Sequence, residues 1–151
     1  MNLQGDEPLI NIDDIKNLNN QMIRNNSNLG TLASLISDKG LYNNENVVKV
    51  TTEERLTNIN FPDATSFSRK MYDKNKNIYH HLGIYCYQKE TLEKFVSHKQ
   101  SSNERRYKLE QFRALENDIK INVALAKTSP IGVDTEEDFL AIKKIMEYKL
   151  K

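Results

Sequence analysis

The run from Tyr79 to Tyr87 limits this chain's fold more than any other stretch. Leu82, Ile84 and Cys86 fall on one face of an extended segment, and Tyr85 and Tyr87 fall on the other. Such a segment reads as a buried or half-buried strand. Around it, apolar residues recur with helical spacing at Ile15, Leu18 and Met22, then alternate as a strand at Ile121, Val123 and Leu125. Helices interleaved with short strands predict an α/β fold.

The chain has 151 residues, which fits one domain or part of one. Lys and Arg number 22 against 21 Asp and Glu, a formal charge of +1. That balance gives no global field for nucleic acid or an anionic membrane. A single cysteine, Cys86, can form neither an internal disulfide nor a multi-cysteine metal site. No apolar run approaches the ~20 residues that span a bilayer, and the N-terminus lacks a basic-then-apolar signal pattern. A soluble cytoplasmic protein, with no nucleic-acid partner and no membrane insertion, is the expectation.

Met1-Asn2-Leu3 leads into the turn-like Gln4-Gly5-Asp6-Glu7-Pro8, so the expectation is either a chain that begins at a loop or one whose feeding strand is missing. The first helix is capped by Asn11 or Asp13, and Asp13 and Asp14 suit the positive end of its dipole. Strands are expected over Thr31 to Ile36 and over Val47 to Val50, the latter after an Asn43–Asn46 turn. Thr51 to Asn77 carries little pattern, and Asp73 to Asn77 reads as a solvated loop. Leu92, Phe95 and Val96 predict a short helix, and Leu109, Phe112 and Leu115 a second from about Glu104 to Leu115. Thr135 and Asp138 resemble a capping box, and Phe139, Ile142, Ile145 and Met146 form the inward stripe of the last helix.

Two acids stand out chemically. Asp6 lies in a tight turn, and Asp134 between a turn and a helix N-terminus. Carboxylates at strand ends suit Mg²⁺, with phosphates and water completing the shell, although a turn-closing Asp6 and a helix-capping Asp134 satisfy the same pattern. His80 and His81 are adjacent in a strand and face opposite ways, so they do not share one metal. His81 is packed or faces a substrate. Tyr85 is a hydrogen-bond donor or plain packing, and Cys86 has no activating neighbour. Arg69 carries a fork suited to a carboxylate, and Glu110 and Gln111 share one helix turn with Arg113. There is no Gly-rich phosphate loop and no Ser/His/Asp or Cys/His nucleophile pattern.

Taken in order, Gln4-Gly5-Asp6-Glu7-Pro8, Phe67-Ser68-Arg69, His81-Leu82-Gly83-Ile84-Tyr85, Leu109-Glu110-Gln111-Phe112-Arg113 and Gly132-Val133-Asp134-Thr135-Glu136-Glu137-Asp138 form a series. It closely resembles the C-terminal portion of the 3-deoxy-manno-octulosonate cytidylyltransferases, also called CMP-Kdo synthetases. The resemblance implies a partial Rossmann-like nucleotidyltransferase sheet over residues 1–151, with the N-terminal CTP-binding part missing and a dimer-forming segment at about 51–87. It implies transfer of CMP from CTP to 3-deoxy-D-manno-octulosonate for lipopolysaccharide synthesis, by a cytoplasmic homodimer. Asp6 and Asp134 would then hold Mg²⁺ as the catalytic acids, and Gln4, Arg69, His81, Tyr85, Glu110 and Gln111 would line the sugar-acid pocket. Arg69 would take the substrate carboxylate, and Glu110 and Gln111 its hydroxyls. Lys70-Met71-Tyr72 replaces the family's usual Ile-Pro segment, Ser102 a common Pro and Tyr107 a common acid. A non-catalytic remnant or partner subunit of a full-length relative, and an enzyme for a related sugar acid, are the alternatives.

Overall fold

The ten-residue strand β5 (Ile78–Tyr87) is the spine of the sheet, because it pairs with three other strands along its two edges. The structure, a computed structural model, describes residues 1–4, 8–70, 77–129, 132–133 and 135–149. One edge of β5 pairs antiparallel with β2 (Leu29–Ser34), every residue of which is buried. The other edge is shared. β3 (Lys49–Thr52) takes Ile78 to His80, and β1 (Asn2–Leu3) takes Ile84 and Tyr85. Outside β3 lies β4 (Ala64–Ser68), and outside β2 lies β6 (Asn122–Leu125), whose pairing with β2 is the parallel one. The order β4-β3-β5-β2-β6 is a mixed sheet with helices against it, the α/β class expected.

Its two faces are packed separately, as the alternation along Tyr79–Tyr87 requires. Leu82, Ile84 and Cys86 join Leu18 and Met22 of helix α1 (Ile12–Arg24) and Phe61 in one cluster. On the opposite face Tyr79 and Tyr85 pack with Phe67, Phe95 and Leu109. Phe95 and Leu109 come from the chain over α3 (Lys89–Ser97), α4 (Ser102–Tyr107) and α5 (Gln111–Leu115). α1 approaches β2 closely at Gly30, where a Cβ would meet Phe61 Cζ at 2.6 Å and Met22 Sδ at 2.7 Å, so only glycine fits. Asn11 caps α1, its Oδ1 accepting from the Asp13 amide at 2.8 Å.

Several elements depart from expectation. β2 runs Leu29–Ser34, not Thr31 to Ile36, and β3 starts at Lys49 instead of Val47. A short helix α2 (Lys39–Asn43), capped by Asp38, precedes the 43–46 turn. The unpatterned middle supplies β4, because Phe67 is its only inward residue besides Ala64. The helix expected over 104–115 is two helices, broken at Lys108, which sits in the left-handed region at φ 53°. Along α6 (Glu136–Lys149) only Ile142 of the expected stripe is buried, while Phe139 is 53% exposed. Among the described residues no helix is long and apolar enough to cross a membrane.

Candidate active site

The place where β5 passes from one edge partner to the other is a cleft of about 510 Å³. Gln4, Arg69, His81, Glu110 and Gln111 all line it, together with Gly83, Lys108 and the wall formed by Leu41 and Asn44. Five of the residues singled out in the sequence therefore meet, although they come from four separate segments.

His81 is fixed from several sides. Its Nε2 lies 3.0 Å from Thr31 Oγ1, and that hydroxyl donates its only proton to the Ile84 carbonyl at 2.7 Å. The imidazole must then donate through Nε2–H, which leaves Nδ1 as an acceptor. Burial pushes its pKa down to about 3, with His80 adding to the effect, so the ring is neutral at physiological pH. Phe67 meets it edge-on at 5.2 Å. His80, at the alternate strand position, also borders the cleft, and its Nδ1 lies 3.1 Å from Ser129 Oγ.

Gln4 lies across Gly83. Its amide N–H donates to the Gly83 carbonyl at 3.3 Å, and a Cβ on Gly83 would come within 2.3 Å of Gln4 Oε1. That clash involves the end of a flexible side chain, not backbone. Gly83→Ala is therefore expected to leave the unfolding free energy within roughly 1 kcal/mol of wild type, while moving the Gln4 side-chain amide out of place. Urea unfolding and the Gln4 amide NMR shifts check this; a large loss of stability with an unmoved Gln4 would contradict it.

Glu110 and Gln111 reach the cleft because the chain breaks at Lys108 and drives Leu109 into the core. Gln111 Nε2 donates to the Tyr85 hydroxyl, and Gln111 Oε1 is buried with no hydrogen-bond partner among the described residues. A buried acceptor left unmet is a cost that a ligand donor would relieve. Tyr85 itself is 2% exposed and stands behind Gln111, fixing its amide from the core side. The break is held by Glu104, which closes a capping box with Ser101 and forms a two-pronged pair with the Arg113 guanidinium.

Arg69 follows β4. Its Nη1 donates to the Glu45 carbonyl at 3.1 Å and the Asn46 carbonyl at 3.0 Å. Both Nη1 protons are thus used, and no bond among the described residues uses Nε or Nη2. That edge is the one a carboxylate takes in two parallel bonds.

Asp6 and Asp134 lie outside the described residues. Their described neighbours Gln4 and Gly132 both line the cleft. Among the described residues no three His, Cys, Asp or Glu side chains gather as a metal site. Asp14 is a structural contributor that the sequence reading passed over as a dipole partner. It is 1% exposed, and its carboxylate accepts from the Lys127 amide at 2.9 Å and the Thr128 hydroxyl at 3.1 Å, tethering the segment after β6. The signal was available, since Asp14 shares the buried face of α1 with Leu18 and Met22 at i, i+4, i+8.

Residues 1–121 match the family of cytidylyltransferases. The chain belongs to that family. Among curated cytidylyltransferases, the 3-deoxy-manno-octulosonate cytidylyltransferase of Bartonella bacilliformis is 38% identical over 97% of this chain and 60% of its own length. That of Thermodesulfovibrio yellowstonii is 39% identical over 97% of this chain and 59% of its own. A solved structure of CMP:2-keto-3-deoxy-manno-octonic acid synthetase, complexed with CTP, superposes with a TM-score of 0.82 at 29% identity, covering 98% of this chain and 61% of that one. The chain thus spans about 60% of the length of these cytidylyltransferases.

Proposed function

We propose that this chain provides the sugar-acid side of a cytidylyltransferase that transfers CMP from CTP to 3-deoxy-D-manno-octulosonate, releasing pyrophosphate, for lipopolysaccharide synthesis. The observation that carries the reading is the cleft itself, which joins an unused guanidinium edge on Arg69 to an unmet acceptor on Gln111. A polyhydroxylated carboxylic acid supplies the complement of both. The matching names of the relatives and the CTP held by the solved neighbour support the same substrates.

In this reading Arg69 receives the carboxylate through Nε and Nη2. Gln111 Oε1 and the Glu110 carboxylate accept from hydroxyls, and Gln4 closes the opposite side against Gly83. His81 offers Nδ1 as a neutral acceptor and, with its pKa near 3, orients the sugar without carrying charge. The anomeric oxygen then attacks the α-phosphorus of CTP; the new O–P bond replaces the bond to pyrophosphate, and the hydroxyl proton passes to solvent. Asp6 and Asp134 would hold Mg²⁺. Two carboxylates suit that ion's donor preference, with phosphate oxygens and water filling the remaining positions. Bound there, the ion would offset charge on the phosphates. A cytoplasmic homodimer, joined through the segment at about 51–87, completes the proposal.

The test is pyrophosphate release from CTP, Mg²⁺ and the sugar acid, paired with calorimetric titration of the sugar acid alone. Release that disappears in Asp134→Ala, or saturable sugar-acid binding without release, is the expected result. A folded sample that shows neither overturns the reading.

A further inference from the structure

Lys49 is a lysine in the middle of a sheet. It opens β3, registered against Ser68 of β4 on one side and His80 of β5 on the other, and it is 2% exposed. An ammonium in such a place is costly unless its protons are taken up. Lys49 Nζ donates to the Asn44 carbonyl at 2.6 Å and to the Arg69 carbonyl at 2.8 Å. The Arg69 side chain in turn donates to the next two carbonyls of the same turn, those of Glu45 and Asn46. Three successive carbonyls therefore converge on two cations, and one of those cations also grips the backbone of the other.

We propose that Lys49 is a positioning residue that clamps the 44–46 turn to the backbone of Arg69, and so aims the free Nε/Nη2 edge of Arg69 at an anionic ligand in the cleft. A methionine would fill a similar volume without desolvating a charge, so stability alone does not account for an ammonium here. The carbonyl clamp does account for it, since only a multi-proton donor reaches both oxygens at once. Burial holds the Lys49 pKa below the usual lysine range, and Glu45 partly opposes that effect. Asn44 and Arg69 both line the cleft, so the clamp spans two of its walls from beneath. The functional half of this inference rests on the reading that Arg69 receives the sugar-acid carboxylate; the clamp itself does not.

Arginine side-chain Nε–Hε NMR tests the clamp directly. The Arg69 signal is identified by its loss in Arg69→Lys, and the Arg113 signal, anchored on Glu104, serves as internal reference. Lys49→Met is expected to cut the heteronuclear NOE of the Arg69 signal by at least half and leave that of Arg113 unchanged. Should Lys49→Met not fold, Lys49→Gln carries the test, since it is neutral and too short to reach both carbonyls; the same selective loss is expected. An Arg69 signal as ordered as in wild type, in either folded variant, overturns the proposal. Adding the sugar acid separates the two readings. If the Arg69 order depends on Lys49 but its wild-type signal ignores the ligand, the clamp stands and the carboxylate assignment fails.

Discussion

Arg69→Ala is expected to weaken binding of 3-deoxy-D-manno-octulosonate by about a hundredfold, whereas Arg69→Lys costs roughly tenfold. A hydrogen bond to a charged partner contributes about 1.5–3 kcal/mol, and about 2.7 kcal/mol corresponds to that hundredfold loss. Lysine keeps the charge but not the planar fork, so it recovers attraction without the second parallel bond. Calorimetry with the acid and with its carboxamide analogue distinguishes this from a general loss of the site. The substitution must penalise the acid far more than the amide, because only the carboxylate uses the Nε/Nη2 edge. Equal losses for the two ligands would remove Arg69 from the carboxylate and leave it as a tie to the 44–46 turn.

Glu104→Ala is expected to destabilise the fold by about 3 kcal/mol, the cost of removing one partner from a mostly buried ion pair. The carboxylate has two tasks, since Oε2 also accepts from the Ser101 amide at 3.1 Å to complete the cap of α4. Its loss leaves Arg113 stacked on Phe95 without its anion. Acid reports the same contact. The Arg113 hydrogen bonds hold the Glu104 carboxyl below its ordinary value of 4.5, against an opposing effect of burial. A carboxyl with a depressed folded pKa gives stability that is fully present above the unfolded value and is lost as pH falls through the folded one. The gap in urea midpoint between wild type and Glu104→Gln should therefore be constant above about pH 4.5 and narrow below it. A gap that persists unchanged into strong acid would show that the carboxylate's charge is not what holds α4 to α5.

The spine of the fold was readable because its pattern is local. Alternation along Tyr79–Tyr87 and the spacing of Leu18 and Met22 each report which side of an element meets the core, and both faces packed as read. The break at Lys108 was not readable, because the apolar spacing of Leu109, Phe112 and Leu115 is helical whether or not one residue before it turns left-handed. β4 was missed because an outer strand with one buried aromatic has almost no periodicity to detect. The site divides the same way. The ordered motifs drew attention to residues with recognisable chemistry, and five of these meet at the cleft. Lys49 and Asp14 act through backbone groups instead, and nothing in a sequence marks which carbonyl or amide a buried charge will find.

The cleft's walls come from widely separated parts of the chain. The bond between Gln4 and Gly83 links the first described strand to the middle of the fifth, and Glu110 and Gln111 arrive from later still. Closing such long loops costs entropy before any contact returns it, so walls of this kind assemble late on the folding path. A ligand that needs all of them finds no binding surface in the transition state. It slows the unfolding of the finished protein and leaves its folding rate untouched.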